Sequence, residues 1–222
     1  MTPRGGRGPG VLMRWPSPMA AERKRPWYLV LALLGALALG TTGAYAGWNA
    51  AALYHASIDP SASGEGIADE HDRALVVSRA EAELRALDGA RSRGWPIAVA
   101  TFLLGSATLV FAMRALGGSG GARAALVQLV FAQAGVGVAG HFLLRDVFEA
   151  DLRWLEAKEV AEEHAAGIAR DQSPLPTIGV LRAASTMVLV LRTLGSGLVI
   201  LGLTRRKSRA YFEETPAAVE EP

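Results

Sequence analysis

The fold class this sequence predicts is all-α: a four-helix transmembrane bundle with an extracytoplasmic helical hairpin formed by its two outer loops. Three observations carry that expectation. The 222 residues hold 23 Lys and Arg and 21 Asp and Glu, yet only one of these falls inside the four stretches 27–48, 94–113, 124–144 and 183–203. Stretches of this length and composition match the ~20 residues that an apolar helix needs to cross a bilayer core. The segments between them alternate between basic and acidic, and the two acidic ones carry helix-compatible sequence of their own.

Residues 1–26 carry Arg4, Arg7, Arg14, Arg23, Lys24 and Arg25 against a single acid, Glu22. They read as a basic cytoplasmic tail, because Lys and Arg collect on the cytoplasmic side. Rich in Gly, Pro and Arg, this tail is expected to be disordered. Met13 and Met19 are alternative starts to Met1.

The first span is placed at 27–48. A cleaved signal peptide competes with it: Arg23-Lys24-Arg25 supplies a basic start, residues 30–39 an apolar core and Ala44-Tyr45-Ala46 an A-x-A pattern. Apolar and small residues continue through 46–53, which favours an uncleaved helix. Gly43 and Gly47 form a G-x-x-x-G surface, on which transmembrane helices approach closely.

The link 49–94 is read as an extracytoplasmic helical arm after a break at Asp59-Pro60-Ser61-Ala62-Ser63-Gly64. Val77, Ala80, Leu84 and Leu87 recur at helical spacing and predict one apolar stripe on a charged helix. Gly94-Trp95-Pro96 predicts a bend or helix end before the second span, 95–115. The short link 116–123 and the preceding Arg114 add basic charge only, with Arg123, and belong on the cytoplasmic side.

The third span is 124–144. Its run Gly135-Val136-Gly137-Val138-Ala139-Gly140 matches the dinucleotide fingerprint G-x-G-x-x-G, but that motif needs a strand before it and a soluble βαβ unit around it. Gly137 and Gly140 are instead expected to pack helices, and no nucleotide is expected. The link 145–177 should continue the helix through Phe148, Leu152 and Leu155 to about residue 169, then break at Ser173-Pro174-Leu175-Pro176. The fourth span is 178–204, followed by a cytoplasmic tail, 205–222, that opens with Arg205, Arg206, Lys207 and Arg209. The outer links hold eight acids each, against five and four basic residues. N-terminus and C-terminus are therefore both expected in the cytoplasm of a bacterial inner membrane. The bacterial assignment rests on the excess of Arg over Lys and the abundance of Ala and Gly.

With no cysteine, disulfides, thiolate metal sites and cysteine nucleophiles are excluded. No Ser-His-Asp arrangement, H-E-x-x-H or P-loop is present, so an enzymatic role is not expected. Arg192 is the foremost candidate site residue. It sits at mid-span, where a charge costs ~2.5–3.5 kcal/mol or more and marks a functional site by default. At 100° per residue it shares an arc with Arg182, Ser185, Thr186, Thr193 and Ser196. Gln133 lies at matching depth and is expected to accept a hydrogen bond from it. Such a face could bind an anion, a lipid headgroup or an acidic partner helix. Its alternative is a purely structural arginine.

His55 and His141 both fall near the outer ends of spans and form a bare pair for axial haem ligation. His71 and His164 sit among acids on the two arms, without metal-ligand spacing. No cofactor or metal is expected. The expected partners are the lipid bilayer and either further copies of the chain or another membrane protein, not nucleic acid. The functional expectation is a non-enzymatic interaction, assembly or sensory subunit. Its rivals are an oligomeric transporter or channel component using the polar face of the fourth span, and a bis-histidine haem electron carrier.

Overall fold

The computed structural model describes residues 25–167 and 178–214. Among them the secondary structure is helical, with no strand. The elements are α1 (Trp27–Leu53), a short 3-10 turn (Pro60–Gly64), α2 (Glu70–Leu116), α3 (Gly120–Leu143), α4 (Arg145–Ala165), α5 (Ile178–Thr204) and α6 (Arg206–Glu214). Four of these, α1, α2, α3 and α5, are long and apolar enough to cross a membrane. The expected disorder of residues 1–20 and the break at Ser173–Pro176 lie outside the described residues.

Helix ends follow their capping residues. Asp69 caps α2 by accepting from the Asp72 backbone N–H at 2.9 Å, and Glu70 and Asp72 place negative charge on the first turn. Ser119 caps α3 through the Ala122 N–H. Between α2 and α3 the chain reverses in three residues, with Gly118 at φ 91°, a conformation that favours glycine.

The tightest contact in the bundle is between α1 and α2. A Cβ added to Gly47 would lie 2.3 Å from the Phe102 backbone nitrogen, and one on Gly105 would lie 2.3 Å from the Ala44 nitrogen. Backbones approach this closely only where side chains are absent. Leu29, Leu33 and Ala36 of α1 also enter the main core, with Ala112 and Ala115 of α2, Leu126 and Val130 of α3, and Val199 and Leu203 of α5. Gly140 touches Ile97, but a Cβ on Gly137 would meet nothing within 4 Å. The expected close approach of a neighbouring helix at Gly137 is not seen at that residue, although Gln133, one turn earlier on the same face of α3, is buried.

The bend expected at Gly94-Trp95-Pro96 does not end the helix. Pro96 lies inside α2, which runs unbroken for 47 residues, ~70 Å at 1.5 Å per residue. Proline removes one helical hydrogen bond and crowds the preceding turn. Here Pro96 is exposed, while Gly94 on the inner side is packed against the ring of Tyr54. The Arg91 guanidinium donates to the Tyr54 carbonyl, so the end of α1 clamps α2 just before the proline. The other arm is less continuous than expected. Helix α3 stops at Leu143, Leu144 sits at φ −110° and ψ 21°, and α4 starts afresh.

The N-terminal half of α2 packs antiparallel on α4, in a pair of arms separated in sequence by two membrane-length segments, the rest of α2 and all of α3. The pairing runs from Asp72 with His164, 2.9 Å apart, to Arg93 with Asp146. Val76, Ala157 and Ala161 form its buried centre, flanked by Ile67, Leu75 and Trp154. This corrects the phase of the expected stripe: Val76 rather than Val77 is fully buried, and Leu84, Leu87 and Leu155 are half-buried, whereas Ala80 and Leu152 are buried as expected.

Glu83 and Asp151 also lie half-buried in this pairing. Burial pushes the Glu83 carboxyl up from its ordinary value, and the nearby Asp151 charge adds to the effect; burial raises Asp151 as well. An acid with a raised folded-state pKa keeps its proton longer in the folded state than in the unfolded one. The arm pair should thus lose stability as pH rises from about 4, the ordinary carboxylate value, through the raised one. Limited proteolysis of the arms should be slower at pH 5 than at pH 8. Glu83→Gln should flatten part of that slope, and an unaltered slope in the variant would remove Glu83 from the account.

The tail after residue 204, expected only as a basic tail, forms a packed helix. Phe212 of α6 is buried in the main core and Ser208 donates to the Gly202 carbonyl at 2.7 Å. Arg25 donates to the Tyr211 hydroxyl at 3.0 Å, Arg123 donates to the Leu203 carbonyl at 3.2 Å, and Arg205 stacks over the Tyr28 ring. The three basic segments thus meet at one end of the bundle.

Candidate functional site

Arg192 stands midway along α5 with its side chain turned toward α1. Its Nη2 is buried and has no hydrogen-bond partner among the described residues. The opening that admits it is Gly43. A Cβ there would lie 2.0 Å from Gln133 Nε2 and 3.4 Å from Arg192 Nη2. One glycine on α1 therefore makes the notch in which a glutamine from α3 and an arginine from α5 converge.

Gln133 is 4% exposed, and its hydrogen bonds go elsewhere than expected. Its Nε2 donates to the Leu39 carbonyl at 2.9 Å, and its Oε1 accepts from Thr108 Oγ1 at 3.3 Å. Thr108, on α2, is fully buried and also donates to Leu104. Gln133 therefore ties α1, α2 and α3 together and does not accept from Arg192. Thr108 was not picked out in the sequence. Its only signal was a hydroxyl at the depth of Gln133 on a neighbouring span.

The hydroxyls of the Arg192 arc are satisfied within α5 itself. Ser185 and Thr186 donate to the Arg182 carbonyl, Thr193 to Leu189 and Ser196 to Arg192. Hydroxyls that return to carbonyls three or four residues back are ordinary in membrane helices. Of this arc only Ser196 is buried, while Thr186 and Thr193 are exposed. The six residues that share an arc in sequence do not form one site. Arg182 lies ~15 Å from Arg192 along the helix axis. It pairs with Glu149 of α4 at 2.5 Å.

The four histidines also separate. His55 is exposed at the end of α1, edge-on to Trp95. It lines an apolar cavity of about 360 Å³ between α1 and α2, with Trp48 and Phe102. His141 lies near the end of α3 against Phe142 and Phe148, and lines a different cavity, beside Arg182 and Ser185. The two cavities have no lining residue in common. His164 meets Asp72, but no group of three metal-ligating side chains forms among the described residues.

The Gly43 notch is filled by the Gln133 and Arg192 side chains, which leave no room there even for a Cβ. The arrangement assembles no nucleophile with a base among the described residues. Comparison with protein-family models, curated proteins and solved structures returns no match, so the reading rests on this geometry.

Proposed function

We propose that this chain is a non-enzymatic interaction, assembly or sensory subunit of a bacterial inner membrane. Both termini lie in the cytoplasm and the antiparallel arms of α2 and α4 project on the outer side. The observation that carries the reading is the continuity of α2. One helix forms both an outer arm and a span, so a partner seated on the arms acts directly on the bundle. The orientation is supported by Arg25, Arg114, Arg123, Arg205 and Arg206 at the end of the bundle away from the acidic arms.

Reporters fused after Leu116 or at Pro222 should read cytoplasmic, and reporters inserted near Gly64 or Ser173 should read external. Photo-crosslinkers placed at the exposed arm positions Arg79 and Lys158 should give discrete protein adducts in native membranes. No adduct from either position would sink the interaction role, and a cytoplasmic signal at Gly64 would reverse the orientation. The mass of the mature chain tests whether α1 is retained, as its share of the core favours.

A second reading, an oligomeric transporter or channel component built around α5, is favoured by the buried and unpartnered Arg192 Nη2. Replacing an unpaired buried charge by an apolar residue is often neutral or stabilising. Arg192→Leu should therefore leave detergent melting unchanged or raised, and Arg192→Lys should keep the charge without the planar fork. A solute flux in proteoliposomes that vanishes in the Leu variant would favour transport. A lower melting temperature in the Leu variant would instead make Arg192 a structural hub.

A further inference from the structure

A second cationic site lies where α3, α4 and α5 diverge, ~15 Å along α5 from Arg192. The cavity there has a volume of about 130 Å³. Arg145, Arg182 and His141 face it, with Glu149 as the acid on its wall. Arg145 is the first residue of α4, is exposed, and has no partner among the described residues. Arg182 already serves Glu149 through Nη2, but a guanidinium presents five donors, so the rest of its fork remains open. Two guanidiniums against one carboxylate leave the site with a net positive charge.

The apolar half adjoins the polar half. Phe142 and Phe148 form walls of the same cavity. Arg182 and Thr186 also line a neighbouring open groove of about 570 Å³, which continues along α5 to Met187 and Val190. The exposed side chains of Met187, Val190 and Leu194 extend this apolar surface toward mid-span. Position reinforces the chemistry, because Arg145 and His141 flank the break between a membrane-length helix and a polar arm. A headgroup would sit at that level with its chains beside α5.

We propose that this cavity binds a phosphate-bearing anionic amphiphile, with Arg145 and Arg182 holding the phosphate and the Met187–Val190 surface of α5 receiving an acyl chain. Arginine suits the role because its planar fork matches phosphate oxygens in pairs. Glu149 competes with the phosphate for Arg182 and weakens binding. The proposal rests on the membrane reading of α3 and α5 but not on orientation.

The test uses the purified full chain in nanodiscs, with phosphatidylglycerol titrated into phosphatidylcholine and bound lipid counted by native mass spectrometry. Inorganic phosphate is the second probe. Phosphatidylglycerol should be retained selectively, Arg145→Gln should weaken retention about tenfold or more, and Arg145→Gln/Arg182→Gln should abolish it. Glu149→Gln should strengthen retention, an effect a merely structural ion pair would not produce. Arg79→Gln, on the exposed arm, should change nothing. Arg145 has no partner among the described residues, so its variant reports on binding even if Arg182→Gln disturbs packing. Selective lipid retention with no phosphate competition supports the amphiphile. Phosphate that displaces the lipid and binds equally well alone points to a free phosphate ligand and overturns the acyl-chain part. Equal retention by wild type and the double variant overturns the site. A reversed reporter topology alongside intact retention would correct the orientation and leave this proposal standing.

Discussion

Gly105→Leu should separate α1 from α2 and give the largest loss of bundle stability of any single glycine change. A Cβ at this position would fall 2.3 Å from the Ala44 nitrogen and 2.7 Å from the Gly43 carbonyl carbon. Those neighbours are backbone atoms of α1 and cannot rotate away. The helices themselves must move apart, and Gly47 against Phe102, one step along the same seam, would lose its contact too. Overpacking of a core costs about 1–3 kcal/mol, and more when backbone must shift. Gly137→Ala is the matched control. It meets open space, and alanine is favoured over glycine in a helix by up to about 1 kcal/mol. Detergent melting should fall steeply for the first variant and hold or rise for the second. Equal melting temperatures would mean that the α1–α2 seam does not hold the bundle together. Gly43→Ala should be an intermediate case, because the clash is with the Gln133 side chain, and Gln133→Ala in the same chain should relieve it.

The second large effect is expected at the other end of the molecule. Val76→Asp should open the arm pair while leaving the spans folded. Val76 is fully buried in a cluster with Ala157 and Ala161, flanked by Trp154, so a carboxylate there would lose its hydration. Asp72, one turn earlier, is itself buried and already engaged with His164. Burying an unpaired charge costs several kcal/mol, and the group escapes by protonation or by opening the interface. Limited proteolysis between residues 54 and 90 should accelerate sharply, with the melting of the membrane-length helices little changed. Leu84→Asp and Leu155→Asp should act in the same direction but more weakly, since both side chains are half-buried and can turn toward water. Proteolysis that ranks Leu84→Asp above Val76→Asp would contradict the helix phase described above.

The candidate site was legible in the sequence only in part. Arg192 stood out because a charge in an apolar span is conspicuous without any structure. Gln133 was visible for the same reason, although its partner was not. Its hydrogen bonds to Leu39 and Thr108 depend on three helices meeting at one level, which no single segment encodes. Arg145 and Glu149 carry no signal in the sequence that sets them apart from the other charges of the arm. Only the packing of α4 beside α5 brings them to Arg182. The dinucleotide-like glycines show the converse: Gly137 resembled a contact residue and faces open space.

What the sequence determined by itself was the number of membrane-length helices and the segregation of charge between the links. These are local properties, because the transfer of a segment between water and lipid is close to a sum over its own residues. The tertiary structure decided which side of each helix meets which neighbour. A helix turns 100° per residue, so the shift from Val77 to Val76 with Ala80 still buried turns the interface by only part of that angle. It also decided that α2 passes through Pro96 without ending, a local preference overruled by the Tyr54 clamp against Gly94. Finally it decided that a basic tail docks as α6, because Phe212 finds an apolar site between distant helices that hydropathy along the chain cannot register.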